Sequence, residues 1–180
     1  SSSSPAVAAR CAHVRAGVGA VASQNVTDPE LGPLILDALG RGADAPRALA
    51  EVCRNRPYLD YRQLMVVDPE GRTAIHSGAM ALGIWAEAQG RDCAAGGNLL
   101  ANAGVPAAMV AAFEAASGHL GDRLLASLRA GLEAGGEAGP VHSAGLKIAG
   151  RLSWPLADLR CDWTEDCPIT AIETAWQVYK

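Results

Sequence analysis

Aromatic side chains are scarce in this sequence of 180 residues, which has one Phe, three Tyr and four Trp. The apolar content is 49% and consists mostly of Ala, Val and Leu, which favours close packing of helices and sheets over a core of large aromatic anchors. No run of about 18 consecutive apolar residues occurs, so no membrane-spanning helix is predicted. The length suffices to bury a substantial core, and we expect one domain over residues 1–180.

The sequence also lacks an excess of basic residues. Its formal charge is −4 and its isoelectric point is about 5.5, which gives no electrostatic footprint for nucleic acid. The first ten residues lack the basic segment and apolar core of a secretory signal. Five cysteines, an odd number without a framework spacing, are expected to be reduced, which favours a cytoplasmic location.

No cofactor-binding or metal-binding motif occurs, and we expect no cofactor. One metal site is left open at Cys161 and Cys167, which flank three acidic residues. Their spacing matches no zinc pattern and no His lies nearby, so a strand end with a solvated acidic turn is the favoured interpretation.

The most informative stretch runs from Arg15 to Asn25. The uncharged segment Ala16 to Ala22 predicts a strand buried on both faces, and its two glycines indicate close approach by another element. Polar residues follow abruptly at Ser23, Gln24 and Asn25. Such a strand end is a common place for a site, although a core strand running into a turn would have the same pattern.

Capping residues and helical spacing predict two consecutive helices, one from Asp28 to about Gly40 and one from Asp44 to just before Pro57. Three further helices are predicted at 106–117, 120–134 and 168–179. Residues 6–13 are compatible with a helix. The serines at 1–4 are either a flexible lead or the polar end of a strand.

Strands are predicted at 62–67 and 72–77, joined by a turn at 68–71, as the clearest hairpin of the sequence. Residues 78–97 have little pattern and are expected to hold at most one strand before Asn98. Two more strands are predicted at 143–149 and 156–163. Helices therefore come in pairs between groups of strands, which argues against a doubly wound parallel sheet. The order suits an α+β fold of two stacked, largely antiparallel sheets with helices on both outer faces.

This order and several local strings resemble a bacterial family of unknown function, DUF1028, of the N-terminal-nucleophile (Ntn) hydrolase superfamily. The strings are Ala16-Gly17-Val18-Gly19-Ala20-Val21-Ala22-Ser23-Gln24, Tyr61-Arg62-Gln63-Leu64, Val67-Asp68, Gly71 to Gly78, Cys93-Ala94-Ala95-Gly96-Gly97-Asn98-Leu99-Leu100, Leu159-Arg160-Cys161-Asp162 and Pro168-Ile169. The resemblance covers nearly the whole chain and implies a four-layer αββα sandwich related to the proteasome subunit fold.

The resemblance also implies a catalytic residue ahead of this chain. Family members begin with a hairpin of about twenty residues, and the superfamily nucleophile is the Thr, Ser or Cys that opens its first strand. The α-amino group of that residue takes the nucleophile's proton. We expect the hairpin to precede Ser1 in the native protein and to pair beside the strand at 16–22. The alternative is processing that makes Ser1 itself the nucleophile, but Pro5 and the absence of a strand pattern argue against it.

The resemblance points to candidate catalytic residues at Ser1, Arg15, Ser23 and Gln24, and His76 is a further candidate from its place late in the hairpin's return strand. A backbone N–H near Gln24 would stabilise an acyl oxyanion, and Arg15 would lower the nucleophile's pKa. A snorkelling edge arginine is the alternative for Arg15. For His76 an ordinary strand histidine is the favoured interpretation.

Candidate substrate-binding residues are Ser2, Asn25 and Asn98. The serines could equally be solvated, and Asn98 after two glycines could equally mark a turn. We predict that residues 23–25, His76 and Asn98 converge on one pocket.

The function implied is a metal-independent amidohydrolase that cleaves a small-molecule amide through an acyl-enzyme. The alternative is a non-catalytic binding or assembly protein that reuses the fold. We expect a homodimer or larger homo-oligomer, and no nucleic-acid or membrane partner.

Overall fold

The computed structural model describes residues 1–180. Its helices are α1 (Ala8–Cys11), α2 (Leu31–Gly40), α3 (Ala45–Cys53), α4 (Val105–Ala115), α5 (Leu120–Glu133) and α6 (Pro168–Tyr179). Its strands are β1 (Ala12–Arg15), β2 (Gly19–Gln24), β3 (Gln63–Val67), β4 (Thr73–Ser77), β5 (Ile84–Gly90), β6 (Cys93–Leu100), β7 (Ala144–Ala149) and β8 (Pro155–Cys161). The helices are four to fourteen residues long, and none has the length and apolarity needed to cross a bilayer.

Four strands form an antiparallel sheet in the order β1-β2-β3-β4. The segment predicted as one buried strand, 16–22, is divided in the structure: residues 16–18 form a turn, and only 19–24 are strand. Gly17 takes a φ of +68°, which opens this turn. At Gly19 a Cβ would lie 2.5 Å from the carbonyl oxygen of Val67, so the neighbouring strand requires glycine there.

The burial of β2 also differs from the prediction. Val21 and Ser23 are buried, whereas Ala20 is exposed and Ala22 is half-buried. The partner β1 was missed, because residues 6–13 were interpreted only as compatible with a helix, whereas residues 8–11 are helix and residues 12–15 are strand. A short apolar run can fit a helix or a strand, and here pairing with β2 decides the outcome.

Helices α2 and α3 cover one face of this sheet and form a core with it. The second helix begins as predicted, because the Asp44 side chain accepts a hydrogen bond of 2.9 Å from the Arg47 N–H. The first begins later than predicted, at Leu31, since residues 28–30 form a turn closed by Asp28. Between these helices and the sheet, the buried Asp68 carboxylate accepts from the backbone N–H groups of Ala45 and Arg72.

The other face of the sheet packs against a hairpin, β5-β6, and β1 contacts a second hairpin, β7-β8. Residues 78–97 were expected to hold one strand and instead contain β5 and the start of β6. Ala and Gly are frequent in this segment, and Ile84 is the only β-branched residue of the two strands, so the local sequence signals them weakly. Asn98 lies within β6, not after it.

Helices α4, α5 and α6 cover the outside of the two hairpins. A second core lies there, built on the fully buried Ile169, Ile172 and Trp176 of α6 against β7, β8 and α5. The fold is therefore α+β with antiparallel sheets, as predicted, and the layers run helices, four-stranded sheet, two hairpins, helices.

Candidate functional site

A cavity of about 420 Å³ lies beside the ends of β2 and β6, between the four-stranded sheet and helices α4 and α5. Its volume lies within the range of roughly 300–1,000 Å³ that small-molecule sites occupy. The polar part of its wall includes Ser1 to Ser4, Arg10, Gln24, Asn25, Thr27, Asn98 and Glu137. The apolar part includes Val26, Leu82, Leu99, Leu100, Val105, Met109, Leu128 and Leu132.

Gln24 reaches the cavity as the last residue of β2 and is held by a chain of hydrogen bonds. Its Nε2 donates to Oε1 of Gln63 at 2.6 Å, and Gln63 is fully buried between the sheets. Nε2 of Gln63 donates to Oγ of Ser77 at 2.9 Å and to the carbonyl of Ala86 at 3.2 Å. Oγ of Ser77 in turn donates to Glu87 at 2.5 Å. This network fixes the orientation of the Gln24 amide at the cavity wall.

The backbone after β2 is strained. Asn25 and Val26 have φ of +62° and +51°, which is rare for residues other than glycine and an outlier for a β-branched one. The Asn25 side chain supports this shape by donating to the carbonyl of Tyr61 at 2.8 Å. The backbone N–H groups of Asn25, Val26 and Thr27 have no acceptor within the protein. Three free N–H donors therefore follow one another along the cavity wall.

Asn98 is half-buried and its side chain makes no hydrogen bond within the protein, so both ends of its amide are free to meet a ligand. The preceding Gly96 brings β6 close to the four-stranded sheet. At Gly96 a Cβ would lie 2.7 Å from Sδ of Met65 and 3.3 Å from Nε2 of Gln63. A side chain there would therefore displace the end of Met65 and crowd the buried glutamine.

The serines at 1–4 run along the cavity in a fixed conformation. Ser2 forms an antiparallel bridge with Ser143, through N–H to carbonyl distances of 2.8 and 3.0 Å. The Ser3 N–H donates to a carboxylate oxygen of Glu137 at 2.6 Å, and Oγ of Ser143 donates to the Ser4 carbonyl at 2.6 Å. The serines at 1–4 were interpreted either as a flexible lead or as the polar end of a strand, and this pairing fits the strand end.

Arg15 and Ser23 lie outside the cavity. Arg15 is at the hairpin turn, at the opposite end of the sheet from Gln24, where its guanidinium pairs with Asp37 at 2.7 Å. Ser23 is adjacent to Gln24 in β2 and so faces the opposite side of the sheet, where its buried Oγ donates to the Asp28 carbonyl.

His76 also lies outside the cavity, so the predicted convergence is wrong for His76 and Ser23. It pairs with Leu64 in the register of β3 and β4, and a ring nitrogen lies 3.0 Å from the Leu59 carbonyl. Its neighbour Ser77 points to the inter-sheet network instead, because successive side chains of a strand alternate between faces. Of the predicted site residues, the cavity wall contains Ser1, Ser2, Gln24, Asn25 and Asn98.

All five cysteines are free and none pairs with another. Cys167 begins α6: burial raises the pKa of its thiol, but hydrogen bonds from Thr170 and Ile169 and the nearby Arg129 outweigh burial and lower it. No three His, Cys, Asp or Glu side chains are grouped so that they could hold a metal ion. The alternative of a site at Cys161 and Cys167 therefore lacks a ligand set.

Two residues of the site were missed in the sequence. Gln63 had a signal, since it is the polar residue at the start of an apolar strand and lies in one of the strings that carry the family resemblance. Glu137 had none, because it follows the glycines that end α5 and reaches the cavity only through a bridge with Leu100. That bridge is a tertiary contact between distant parts of the chain.

A family model and a solved structure that match this chain both point to the same family. Residues 1–172 match the model of a family described as a family of unknown function, DUF1028. The crystal structure of protein SPO2555 from Silicibacter pomeroyi, which matches the same family model, superposes with a TM-score of 0.90 at 29% identity, over 98% of this chain and 76% of that one. No protein with a curated description is significantly similar in sequence. Because the family match extends over nearly all of its length, the chain belongs to the DUF1028 family.

Proposed function

We propose that the protein is an Ntn-type amidohydrolase that cleaves the C–N amide bond of a small molecule through an acyl-enzyme. The observation that carries the proposal is the cavity, where the free N–H groups after β2, the Gln24 and Asn98 amides and the serine segment meet. Stabilisation of an acyl oxyanion needs hydrogen-bond donors, and this wall contains residues whose donors have no partner within the protein. The layer order of helices, two levels of strands and helices supports the four-layer αββα assignment of this superfamily.

In this proposal the nucleophile comes from chain that precedes Ser1 in the native protein. The bridge between Ser2 and Ser143 and the position of Ser1 to Ser4 on the cavity wall support this, since chain continuing from Ser1 would start beside the cavity. A Thr, Ser or Cys there would have its own α-amino group as the base.

The proposed reaction needs no reactant other than the amide and water. The nucleophile's oxygen or sulfur attacks the amide carbon while its proton passes to the α-amino group. The tetrahedral intermediate then collapses, the C–N bond breaks, and the amine leaves with that proton. Water attacks the acyl-enzyme and releases a carboxylic acid, which restores the nucleophile.

Each cavity residue has a distinct task in this scheme. The N–H groups of Asn25 and Val26 would bind the oxyanion, since nothing in the protein accepts from them. Removing one such donor from an oxyanion site typically lowers turnover by about 100- to 1,000-fold. Gln24 is a positioning residue that the Gln63 network orients, and Asn98 would hold the amide of the substrate.

The test is hydrolysis of a panel of simple amides by the full-length protein, with amine release as the readout. We expect one or more amides to be cleaved, and Asn98→Ala to lower turnover at least about tenfold, the scale of one lost bond to the reacting group. Its melting temperature should stay unchanged because the Asn98 side chain bonds to nothing in the protein.

Gln89→Ala is the matched control, because Gln89 is a polar residue of the same hairpin that lies outside the cavity. It should leave turnover unchanged. Release of amine at equal rates by wild type and Asn98→Ala would contradict the proposal. Binding of amides without release would favour a non-catalytic binding protein.

A further inference from the structure

Three apolar side chains at the cavity are left in solvent. Val26 is 55% exposed, Leu82 47% and Leu99 39%, and all three line the cavity. Single exposed apolar residues are ordinary. Three around one concave site form a continuous surface, here called the apolar rim.

The rim is held together by hydrogen bonds of the backbone. The Leu99 N–H donates to the Leu82 carbonyl at 2.8 Å, and the Leu99 carbonyl accepts from the Ala138 N–H at 2.8 Å. The Leu82 N–H points to the Asn25 side-chain oxygen at 3.4 Å, next to Val26. The rim is thus a built part of the wall and is fixed relative to the polar donors.

Two rim residues are also strained. Val26 has a φ of +51° and Leu99 a φ of +53°, a conformation that glycine or asparagine adopts more readily. Exposing an apolar side chain and holding it at positive φ are both unfavourable for the folded protein. Tyr58 has the same combination outside the cavity, so it is the position of Val26 and Leu99 on the cavity wall that points to a ligand.

We propose that the apolar rim of Val26, Leu82 and Leu99 binds an apolar substituent of the substrate, so that the substrate class is a lipophilic amide. The inference rests on the proposed amidohydrolase function. The rim continues inward to apolar side chains of α4 and α5, including Met109 and Leu128. An apolar group that entered there would be removed from water on several sides, whereas a sugar or a charged peptide would gain no such burial against the apolar rim.

The test measures binding separately from turnover. Decanamide and acetamide are titrated calorimetrically into the full-length protein and into Leu99→Gly, Leu99→Asn and Val26→Gly. We expect wild type to bind decanamide more tightly than acetamide, and each variant to lose decanamide affinity about tenfold, as burial of a few CH₂ groups predicts. Affinity for acetamide should not change in the two Leu99 variants, because Leu99 supplies none of the polar groups assigned to the amide.

Thermal stability separates this role from a structural one. Because the substitutions relieve positive φ, the variants should melt at or above the wild-type temperature. Tyr58→Gly is the matched control, since Tyr58 is 70% exposed at a φ of +63° and lies outside the cavity. It should gain the same relief and keep full decanamide affinity.

Three results would overturn the inference. Two are calorimetric: equal affinity of wild type for the two amides, or unchanged decanamide affinity in the rim variants. The third is a light-scattering result in which wild type is a dimer and the rim variants are monomers. The last would make the rim an interface between copies of the chain. Rim-dependent decanamide binding with no hydrolysis of any amide would refute the proposed function and the substrate class, and would leave only the binding of an apolar group at the rim.

Discussion

The buried glutamine at position 63 allows a demanding test of the network that orients Gln24. Gln63→Glu keeps the size of the side chain but places a carboxyl group where the amide donated to Ser77 and to the Ala86 carbonyl. The Glu87 carboxylate lies just beyond Ser77. Burial and a neighbouring negative charge both disfavour ionisation, so the pKa of the introduced carboxyl should be raised in the folded state.

The magnitude follows from keeping that carboxyl protonated. Each pH unit above the ordinary Glu pKa of about 4.3 costs about 1.36 kcal/mol, which gives about 5 kcal/mol at pH 8 and about 1 kcal/mol at pH 5. A raised folded-state pKa means that stability is lost as pH rises from the unfolded pKa towards the folded one. Relative to wild type, the variant should therefore lose up to about 4 kcal/mol more stability at pH 8 than at pH 5, which corresponds to a further decrease of roughly 8–16 °C in its melting temperature.

The assay is urea denaturation of wild type, Gln63→Glu and Gln63→Leu at both pH values. Gln63→Leu is the control: it should lose about 1–3 kcal/mol at either pH, because it leaves buried polar groups unsatisfied but introduces no titrating group. Equal destabilisation of Gln63→Glu at pH 5 and pH 8 would refute the assignment of a sealed, neutral network around Gln63.

Three further predictions follow from other parts of the molecule. Burial raises the pKa of the Asp68 carboxyl, but hydrogen bonds from Arg72 and backbone N–H groups hold that pKa below its usual range. Asp68→Asn should therefore lower the stability by about 3 kcal/mol at pH 7 in urea denaturation. The difference from wild type should shrink in acid, because protonation of Asp68 destabilises the wild type. Burial raises the pKa of the Cys53 and Cys93 thiols whereas that of Cys167 is lowered, so iodoacetamide at pH 7.5 should label Cys167 before Cys53 and Cys93 by peptide mass spectrometry, and faster labelling of Cys53 or Cys93 would be inconsistent with this order. Light scattering at micromolar concentration should give the mass of a homodimer or larger oligomer, and a monomer would show that expectation to be wrong.

Much of the outer architecture could be predicted from the sequence because local signals agree with the final contacts there. The cap at Asp44 and the glycines that end α2 and α5 are short-range features, and the hairpin turn at 68–71 is equally local. Helix α6 was predicted at 168–179, the span it occupies.

The parts that were missed depend on contacts between distant segments. The hairpin β5-β6 is rich in Ala and Gly, so only its packing on the sheet reveals it. For the site, Gln24 was placed by its position at a strand end and Asn98 by the two glycines before it, whereas His76 was misplaced because a strand's alternation turned it to the opposite face. No local signal marks Glu137 or the strained φ of Val26.

The most direct test of the central claim is made on the native protein purified from cells that express the full-length gene. N-terminal sequencing and intact mass identify its first residue, and incubation with an acylating ester probe shows which residue gains the acyl mass. The account predicts a free Thr, Ser or Cys at the N-terminus, ahead of the position of Ser1, that carries the acyl group. A retained Met or a blocked terminus, with no acylation of the first residue, would contradict it.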